Sequence, residues 1–211
     1  MERTVHVAVY DTLADWEIGY AVAQLNDQQW QREPDRFAVA TVAHTADPIV
    51  TIGGVRIVPD LTSAELVPSR SAMLVLPGAR TWDEGGNVEM AEAAREFLAA
   101  GVPVAAICGA TAGLARAGLL DDRPHTSAAP QYLAATGYAG GAHYVDTDVV
   151  DDGSLITAGP TEPLAFARAI LARLDVYPPE VLEAWYGLHR TSDPRWFAEL
   201  MRATGAAPGN G

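Results

Sequence analysis

Short runs of consecutive apolar residues alternate along the chain with longer segments in which apolar residues recur every three or four positions. The first pattern is typical of strands buried on both faces, and the second is typical of amphipathic helices. The strand pattern covers residues 5–10, 36–43, 71–78 and 103–107, and the helical pattern covers residues 11–28, 88–100 and 162–174. This alternation predicts an α/β fold, a flavodoxin-like three-layer α/β/α sandwich with a mostly parallel central sheet.

Turn-forming residues mark the boundaries between these elements. Short β runs flank Gly53-Gly54 and also Asp152-Gly153, and both segments are typical of β-hairpins. Ahead of the first helix, Asp11, Thr12 and Asp15 are candidate N-caps, because short polar side chains can accept hydrogen bonds from the free amides of a helix.

The carboxyl-terminal part of the chain has a different character. Residues 178–202 carry aromatic side chains at helical spacing, which predicts two further helices. We therefore expect residues 1–175 to form the α/β domain and residues 176–203 to form a helical extension packed on it. Residues 204–211 are rich in glycine and alanine and are predicted to be a disordered tail.

Composition limits the partners of the protein. The 211-residue chain has a formal charge of -13, whereas nucleic acids and anionic membranes bind basic surfaces, so neither is expected as a partner. No apolar run approaches the ~20 residues of a membrane span, and the amino terminus lacks the pattern of a secretory signal. The single cysteine excludes an intramolecular disulfide, which favours a cytoplasmic protein.

The residue types that are missing also limit the chemistry. All 14 basic residues are arginine, and without lysine neither Schiff-base chemistry nor a Walker-type phosphate loop is possible. The five histidines show no metal-ligand spacing, and a single cysteine cannot form a C-x-x-C pair. We expect no cofactor and no metal.

The single cysteine, Cys108, lies directly between a predicted strand and a predicted helix. The helix begins with the small residues Gly109 and Ala110, which a tight strand-to-helix turn requires. A nucleophile in this position is exposed above the sheet, and the positive end of the helix favours the thiolate, so we expect a thiol pKa below about 7. The alternative is a small buried thiol in the core.

Three segments that are distant in sequence are expected to meet at one edge of the sheet. The segment 11–17, the loop 77–79 and Cys108 each follow a predicted strand. In a parallel α/β sheet the carboxyl ends of the strands form the functional edge. The sequence therefore predicts a site at that edge. Trp82 and Asp83, which come shortly after the loop, are candidate pocket walls.

Several blocks in this order, DTLADWEIGYAVAQL, PIVTIGGVRIVPD, VLPG, PVAAICGATAGLARAGLLDDRPHTS and LITAGPTEPLAFARAIL, resemble the ThiJ/PfpI superfamily. The resemblance extends from Val5 to about Leu174 and is greatest to the bacterial YdeA-type branch. The fold of this superfamily is shared with the class I glutamine amidotransferases. The resemblance also implies a homodimer, for which the 5 tryptophans and 7 tyrosines provide aromatic surface.

The resemblance assigns roles to particular residues. It implies that Cys108 is the nucleophile and that Glu17 approaches the sulfur as a protonated carboxylic acid. A carboxyl group buried beside a thiolate has a raised pKa, so this role is physically consistent. By the same analogy, the backbone amides of Gly78, Ala79 and Gly109 form an oxyanion hole.

The chain departs from the family pattern at its histidines. Gly109 occupies the position directly after the cysteine where the protease-like branch has histidine, and residues 127–129 read Ser-Ala-Ala where the deglycase-like branch has another. His125 is close to that second position but out of register, and is either a displaced general base or a loop histidine. These departures argue against true protease or glutaminase activity.

Two functions follow from this constellation. In the first, the protein is a cofactor-free, cysteine-dependent enzyme, a hydrolase, hydratase or glyoxalase-type lyase that acts on a small electrophile through Cys108 and Glu17. In the second, it is a redox-responsive or regulatory protein in which Cys108 is reversibly oxidised. The sequence leaves the substrate open.

Overall fold

The computed structural model describes residues 3–205. The strands are β1 (Arg3–Ala8), β2 (Phe37–Ala43), β3 (Ile49–Val50), β4 (Arg56–Ile57), β5 (Leu61–Thr62), β6 (Ser71–Leu76), β7 (Val104–Ile107), β8 (Val149–Asp151) and β9 (Leu155–Ala158). The helices are α1 (Asp15–Asn26), α2 (Arg80–Asp83), α3 (Val88–Ala99), α4 (Gly109–Arg116), α5 (Pro130–Ala134), α6 (Pro163–Arg173), α7 (Pro179–Thr191) and α8 (Pro194–Thr204).

The central sheet has seven strands in the order β5-β2-β1-β6-β7-β9-β8. Every neighbouring pair is parallel except β8 and β9, which form an antiparallel hairpin. The predicted α/β fold with a mostly parallel sheet is confirmed. Strands β1, β6 and β7 are adjacent at the centre, so the residues that follow them meet at one edge of the sheet.

The central strands are apolar because helices cover both faces of the sheet. All six residues of β6 and all four residues of β7 are buried. On one face Trp82 and Phe97 anchor a core cluster with α3 and α4, and on the other Phe166 and Trp185 anchor a cluster with α1, α6 and α7. Strands buried on both faces have no polar alternation, which explains the continuous apolar runs in the sequence.

Both predicted hairpins are present. Strands β3 and β4 form a separate antiparallel pair, with Ile49 opposite Ile57, and β8 pairs with β9. The carboxyl-terminal extension forms α7 and α8, and the fully buried Leu200 of α8 joins the core cluster of α6. Helix α8 ends at Thr204, so residue 204 does not belong to a disordered tail; residues 206–211 lie outside the described residues.

The first helix begins later than the sequence pattern predicts. Helix α1 starts at Asp15, and its N-cap is Ala14, which has no capping side chain. The carboxylate of Asp15 instead accepts hydrogen bonds from Thr51 Oγ1 at 2.5 Å and from the Gly53 amide at 2.8 Å. The prediction that Asp15 caps the helix is therefore wrong, because this side chain ties the β3–β4 hairpin to α1.

The other two candidate caps also bind neighbouring segments. Asp11 Oδ1 accepts a hydrogen bond from the Val50 amide at 2.8 Å, and Thr12 Oγ1 accepts one from the Arg80 amide at 3.0 Å. Thr12 has a φ of 64°, a left-handed conformation in the tight turn that follows β1. Tertiary partners therefore replace helix capping along this turn.

The described part of the chain contains neither a membrane-spanning helix nor a metal cluster. No helix within residues 3–205 is long and apolar enough to cross a membrane. In the same residues, His, Cys, Asp and Glu side chains form no group of three or more that could hold a metal ion.

The short helix α2 packs Trp82 against α4. Trp82 is fully buried, and the cavity that it lines is formed with Gly113 and Arg116 of α4 and not with Cys108 or Glu17. A Cβ built on Gly113 of α4 would lie 2.2 Å from two carbon atoms of the Trp82 ring. Only glycine at position 113 allows this close approach between the indole and the helix that follows Cys108.

Two glycine-to-alanine variants should change stability in opposite directions. Gly113→Ala forces a methyl group into the Trp82 ring, and overpacking of this kind costs roughly 1–3 kcal/mol. Gly19→Ala in α1 meets nothing within 4 Å and should stabilise the protein by roughly 0.5–1 kcal/mol, because alanine is the better helix former. Urea unfolding followed by circular dichroism measures both changes; effects of the same sign would contradict this account of the packing.

Candidate active site

Cys108 lies at the turn between β7 and α4 in an unusual backbone conformation. Its φ is 57° and its ψ is -127°, values that residues with a side chain adopt at a cost of order 1–3 kcal/mol. The turn is held by a hydrogen bond from the Cys108 amide to the Ala158 carbonyl, and by two from the amide and hydroxyl of Thr111 to the Cys108 carbonyl. The predicted strand-to-helix position of the thiol is therefore present, and the thiol is partly exposed.

Gly78 brings the Cys108 thiol and the Glu17 carboxyl together. Glu17 lies in the first turn of α1 and is fully buried, and its Oε2 accepts a hydrogen bond from the Gly78 amide at 2.5 Å. A Cβ built on Gly78 would lie 2.9 Å from Cys108 Sγ and 2.9 Å from Glu17 Oε2. The sulfur and the carboxyl oxygen thus border the same small space beside Gly78, where any side chain would separate them.

The Glu17 carboxyl has a pKa near neutrality. Burial raises the pKa from 4.5 to about 7, while hydrogen bonds from Gly78 and Cys108 lower it. Its Oε1 is buried and has no hydrogen-bond partner within residues 3–205. A carboxyl group with a pKa close to the working pH can both accept and return a proton, which is the requirement for general acid–base catalysis.

The Cys108 thiol has a raised pKa, contrary to the expectation from its position at the start of a helix. Burial and the negative charge of Glu17 raise the pKa to about 12, and the Gly109 amide lowers it by a smaller amount. The Gly78 amide donates to Glu17, which favours the carboxylate there, and a carboxylate beside the sulfur disfavours a second negative charge. These directions favour a resting thiol with a neighbouring proton acceptor, which is the reverse of the predicted thiolate beside a protonated Glu17.

The predicted oxyanion hole loses one of its three amides. The Gly78 amide donates to Glu17 and is therefore not available to an oxyanion, which corrects the prediction at this residue. The Ala79 and Gly109 backbones lie close together. A Cβ built on Gly109 would be 3.5 Å from Ala79 N and 3.0 Å from Ala79 O. Two amides, those of Ala79 and Gly109, thus remain as candidate donors to an oxyanion.

Both ring nitrogens of His125 form hydrogen bonds with residues outside the dyad. Its Nδ1 donates to the Arg123 carbonyl at 2.8 Å, so its Nε2 is the acceptor for the Tyr138 hydroxyl at 3.0 Å. The imidazole is fully buried between the Tyr138 and Tyr144 rings, and burial lowers its pKa. Both ring nitrogens are occupied, so the structure corrects the interpretation of His125 as a displaced general base: it is a packed loop histidine.

Ser127 belongs to the stretch in which the deglycase-like branch has histidine. Its Oγ lies 2.6 Å from Thr111 Oγ1, and the Thr111 hydroxyl donates to the Cys108 carbonyl at 2.6 Å. This pair of buried hydroxyls therefore braces the turn that carries the cysteine. A hydroxyl chain of this kind supplies no base near neutral pH, and Glu17 is left as the proton acceptor of the site.

Tyr132 and Asp83 form a contact near the site that only partly follows from the sequence. The Tyr132 hydroxyl donates to Asp83 Oδ1 at 2.5 Å and joins α5 to α2. The Asp83 charge raises the pKa of Cys108, and Cys108 in turn raises that of Tyr132, so the contact lies within electrostatic range of the sulfur. Asp83 is consistent with the predicted pocket wall, whereas no local signal in the sequence marks Tyr132.

Comparisons with known proteins agree on one family. The DJ-1/PfpI family model matches residues 3–173. Two Bacillus subtilis proteins are similar: uncharacterized protease YoaZ, 37% identical over 202 residues (94% of this chain and 96% of YoaZ), and uncharacterized protease YdeA, 33% identical over 184 residues (86% and 88%). The crystal structure of a ThiJ/PfpI family protein from Bacillus anthracis has a TM-score of 0.90 and 36% identity, covering 96% of this chain and 97% of that one.

Replacing Glu17 by glutamine should alter the pH dependence of stability. The folded pKa of about 7 lies above the unfolded value of 4.5, so the folded state binds more protons between these values and loses stability as pH rises through them. The full difference is roughly 3 kcal/mol above pH 7. Glu17→Gln removes this penalty, so its melting temperature relative to wild type should rise from pH 4.5 to pH 7. Glu96→Gln, which changes an exposed residue of α3, is the control and should show no such rise. A melting-temperature difference between Glu17→Gln and wild type that stays constant with pH would contradict the raised pKa.

The same substitution should make the Cys108 thiol more acidic. The negative charge of Glu17 raises the thiol pKa, so Glu17→Gln should lower it by about one unit or more. Ultraviolet absorbance of the thiolate, followed as a function of pH, measures the change, and Cys108→Ser provides the blank. A wild-type midpoint below 7 would restore the thiolate that the helix position predicted.

Proposed function

The chain belongs to the DJ-1/PfpI family, and from this premise we propose that it is a cofactor-free, cysteine-dependent enzyme that acts on a small electrophilic substrate. The observation that carries the proposal is the juxtaposition of a partly exposed thiol with a buried carboxyl whose pKa is about 7. A structural thiol in a core needs no proton acceptor, whereas a nucleophilic thiol requires one.

The proposed reaction begins with proton transfer from Cys108 to Glu17. As an electrophilic carbon approaches, Sγ forms a bond to it and the thiol proton moves to the adjacent carboxylate. The negative charge that develops on the substrate is stabilised by the Ala79 and Gly109 amides. Glu17 then passes the proton to the charged oxygen or nitrogen of the adduct. Attack by water, or a rearrangement within the adduct, breaks the C–S bond; the electron pair returns to Sγ, and a proton restores the thiol. A pKa near 7 suits the transfers to and from Glu17.

The charges around the dyad favour uncharged substrates. Glu17 and Asp83 both act on the Cys108 sulfur with negative charge, and no cationic side chain is among the groups that shift its pKa. An anionic substrate would be repelled at short range. Small aldehydes, amides and isonitriles fit this requirement, and the corresponding reactions are those of a hydrolase, a hydratase or a glyoxalase-type lyase.

Protease activity has less support, although two relatives are named as uncharacterized proteases. Peptide hydrolysis by a cysteine needs an acid to protonate the leaving amine, and histidine usually fills that role. Here Gly109 follows the cysteine, and both ring nitrogens of His125 are hydrogen-bonded elsewhere.

The redox-responsive alternative is weakened by the raised pKa of Cys108. Oxidation by peroxide proceeds from the thiolate, and burial together with the charge of Glu17 disfavours the thiolate in the resting protein. Rapid single-site oxidation, detected by intact mass during a peroxide titration, would favour the sensor; turnover of a small electrophile would favour the enzyme.

Turnover by variants of the dyad tests the proposal. A panel of uncharged aldehydes, amides and isonitriles is assayed first with the wild-type protein and with Cys108→Ser, which should be inactive. With any substrate found, Glu17→Gln should lose roughly 10²–10⁴-fold in rate, the usual value of general acid–base catalysis. His125→Gln, confirmed as folded by circular dichroism, should retain most activity. A larger loss in His125→Gln than in Glu17→Gln would replace the dyad by a triad.

A further inference from the structure

The peptide unit that joins Pro77 to Gly78 is bound at both of its polar ends. Its carbonyl oxygen, on Pro77, accepts hydrogen bonds from the Tyr10 hydroxyl and from Trp82 Nε1, the second at 3.1 Å. Its N–H, on Gly78, donates to Glu17 Oε2 at 2.5 Å. The peptide is planar and trans, so the two ends point in opposite directions and rotate together. Fixing the carbonyl therefore fixes the direction of the N–H.

The two side chains that hold the carbonyl also hold each other. Trp82 Nε1 donates to the Tyr10 hydroxyl at 2.8 Å, and the rings meet edge to face with centroids 5.6 Å apart. Trp82 is fully buried and Tyr10 is 7% exposed. Burial raises the pKa of Tyr10 well above its ordinary value, so its hydroxyl keeps the proton that it donates to the Pro77 carbonyl.

The pair is supported from two sides of the site. Tyr10 follows β1 and precedes the turn into α1, which carries Glu17. The Trp82 ring packs against α4 at Gly113. A Cβ built on Gly109 would lie 3.3 Å from the Cβ of Trp82, so Trp82 also lies beside the first residue after Cys108. The same two side chains thus contact the segments that carry the carboxyl and the thiol, although neither side chain donates to Glu17 or to Cys108.

We propose that Tyr10 and Trp82 are positioning residues that hold the Pro77–Gly78 peptide in one orientation and, through its N–H, keep the Glu17 carboxyl beside the Cys108 sulfur. Neither residue touches the reacting atoms. This inference rests on the proposed function, since it explains how the proton acceptor of that reaction is held in place.

The direction of the expected effect follows from the groups that face Glu17. The Gly78 amide and the Cys108 thiol lower the pKa of Glu17, and the Tyr10 hydroxyl lies within electrostatic range of it. The charge of Asp83 acts on Cys108 instead, where it raises the pKa of the thiol. If the peptide rotates, the carboxylate loses its amide donor while remaining buried. The Glu17 pKa should then rise above about 7, so the carboxylate that accepts the thiol proton should form only at a higher pH.

The test uses Tyr10→Phe and Trp82→Phe, each of which removes one donor to the carbonyl and keeps an aromatic ring. Near neutral pH the Glu17 carboxylate is expected to take the thiol proton while the sulfur is alkylated, so the alkylation rate by iodoacetamide should follow the ionisation of Glu17. This rate is measured as a function of pH in the full-length protein. The midpoint of the rise should move upward by about one unit in each variant, which is the scale of one hydrogen bond to a charged group. With a substrate in hand, kcat should fall more than tenfold while KM changes little.

Two matched controls separate positioning from general loss of stability. Tyr177→Phe also removes a buried hydroxyl, one that donates to Gln24 Oε1 at 2.7 Å. Trp185→Phe removes a buried indole whose Nε1 has no partner within residues 3–205. Both variants should lower the melting temperature and leave the alkylation midpoint unchanged.

The outcomes are distinct. An unchanged midpoint in folded Tyr10→Phe overturns the inference, as does an equal shift in the two controls. Should Trp82→Phe fail to fold, Tyr10→Phe decides alone. If the midpoint shifts in Tyr10→Phe but the wild-type protein turns over no electrophile, the positioning role is supported and the proposed function is contradicted. If the wild-type protein turns over an electrophile but the midpoint does not shift in Tyr10→Phe, the proposed function is supported and the positioning role is contradicted.

Discussion

The hydrogen bond from the Gly78 amide to the Glu17 carboxyl is the interaction on which the site depends. Without it, a carboxyl group buried at the start of α1 would have no described backbone donor and would remain protonated over a wider pH range. With it, the carboxyl has a pKa of about 7 and lies beside the sulfur. Burial is the main cause of the raised pKa, and this one backbone amide limits the rise while it fixes the position of the group that would activate the nucleophile.

The apolar core of the fold offsets the free-energy cost of this arrangement. A left-handed cysteine and a buried acid each destabilise the folded state by roughly 1–3 kcal/mol, which is a substantial fraction of the roughly 5–15 kcal/mol net stability of a domain. Both lie at the carboxyl edge of a sheet whose central strands β6 and β7 are buried on both faces, and burial of apolar surface is the main source of stability. The strain is therefore confined to the edge and is offset by the core beneath it.

Features that depend on local sequence could be predicted, and those that depend on distant contacts could not. The strands, both hairpins and the turn at Cys108 follow from apolar runs and small residues that are adjacent in the chain. Glu17 and Gly78 were recognised only by family resemblance. For the pKa of Cys108 the sequence and the structure point in opposite directions, because the helix start is visible in the sequence whereas burial and the charge of Glu17 are not. His125 was similarly ambiguous until its partners, Arg123 and Tyr138, were known.

Cys108 is the only sulfhydryl group in the chain, and this has a consequence for the lifetime of the protein. Many thiol proteins recover from a first oxidation because a second cysteine captures the sulfenic acid as a disulfide before it is oxidised further. This chain has no such resolving partner of its own. Once the sulfur has been oxidised to the sulfenic acid, recovery requires an external thiol such as a low-molecular-weight reductant, and without one further oxidation to the sulfinic acid is irreversible for this molecule. Loss of the free thiol is therefore decided by oxidation at one sulfur atom, and the surrounding pool of reductants sets how fast the thiol is restored.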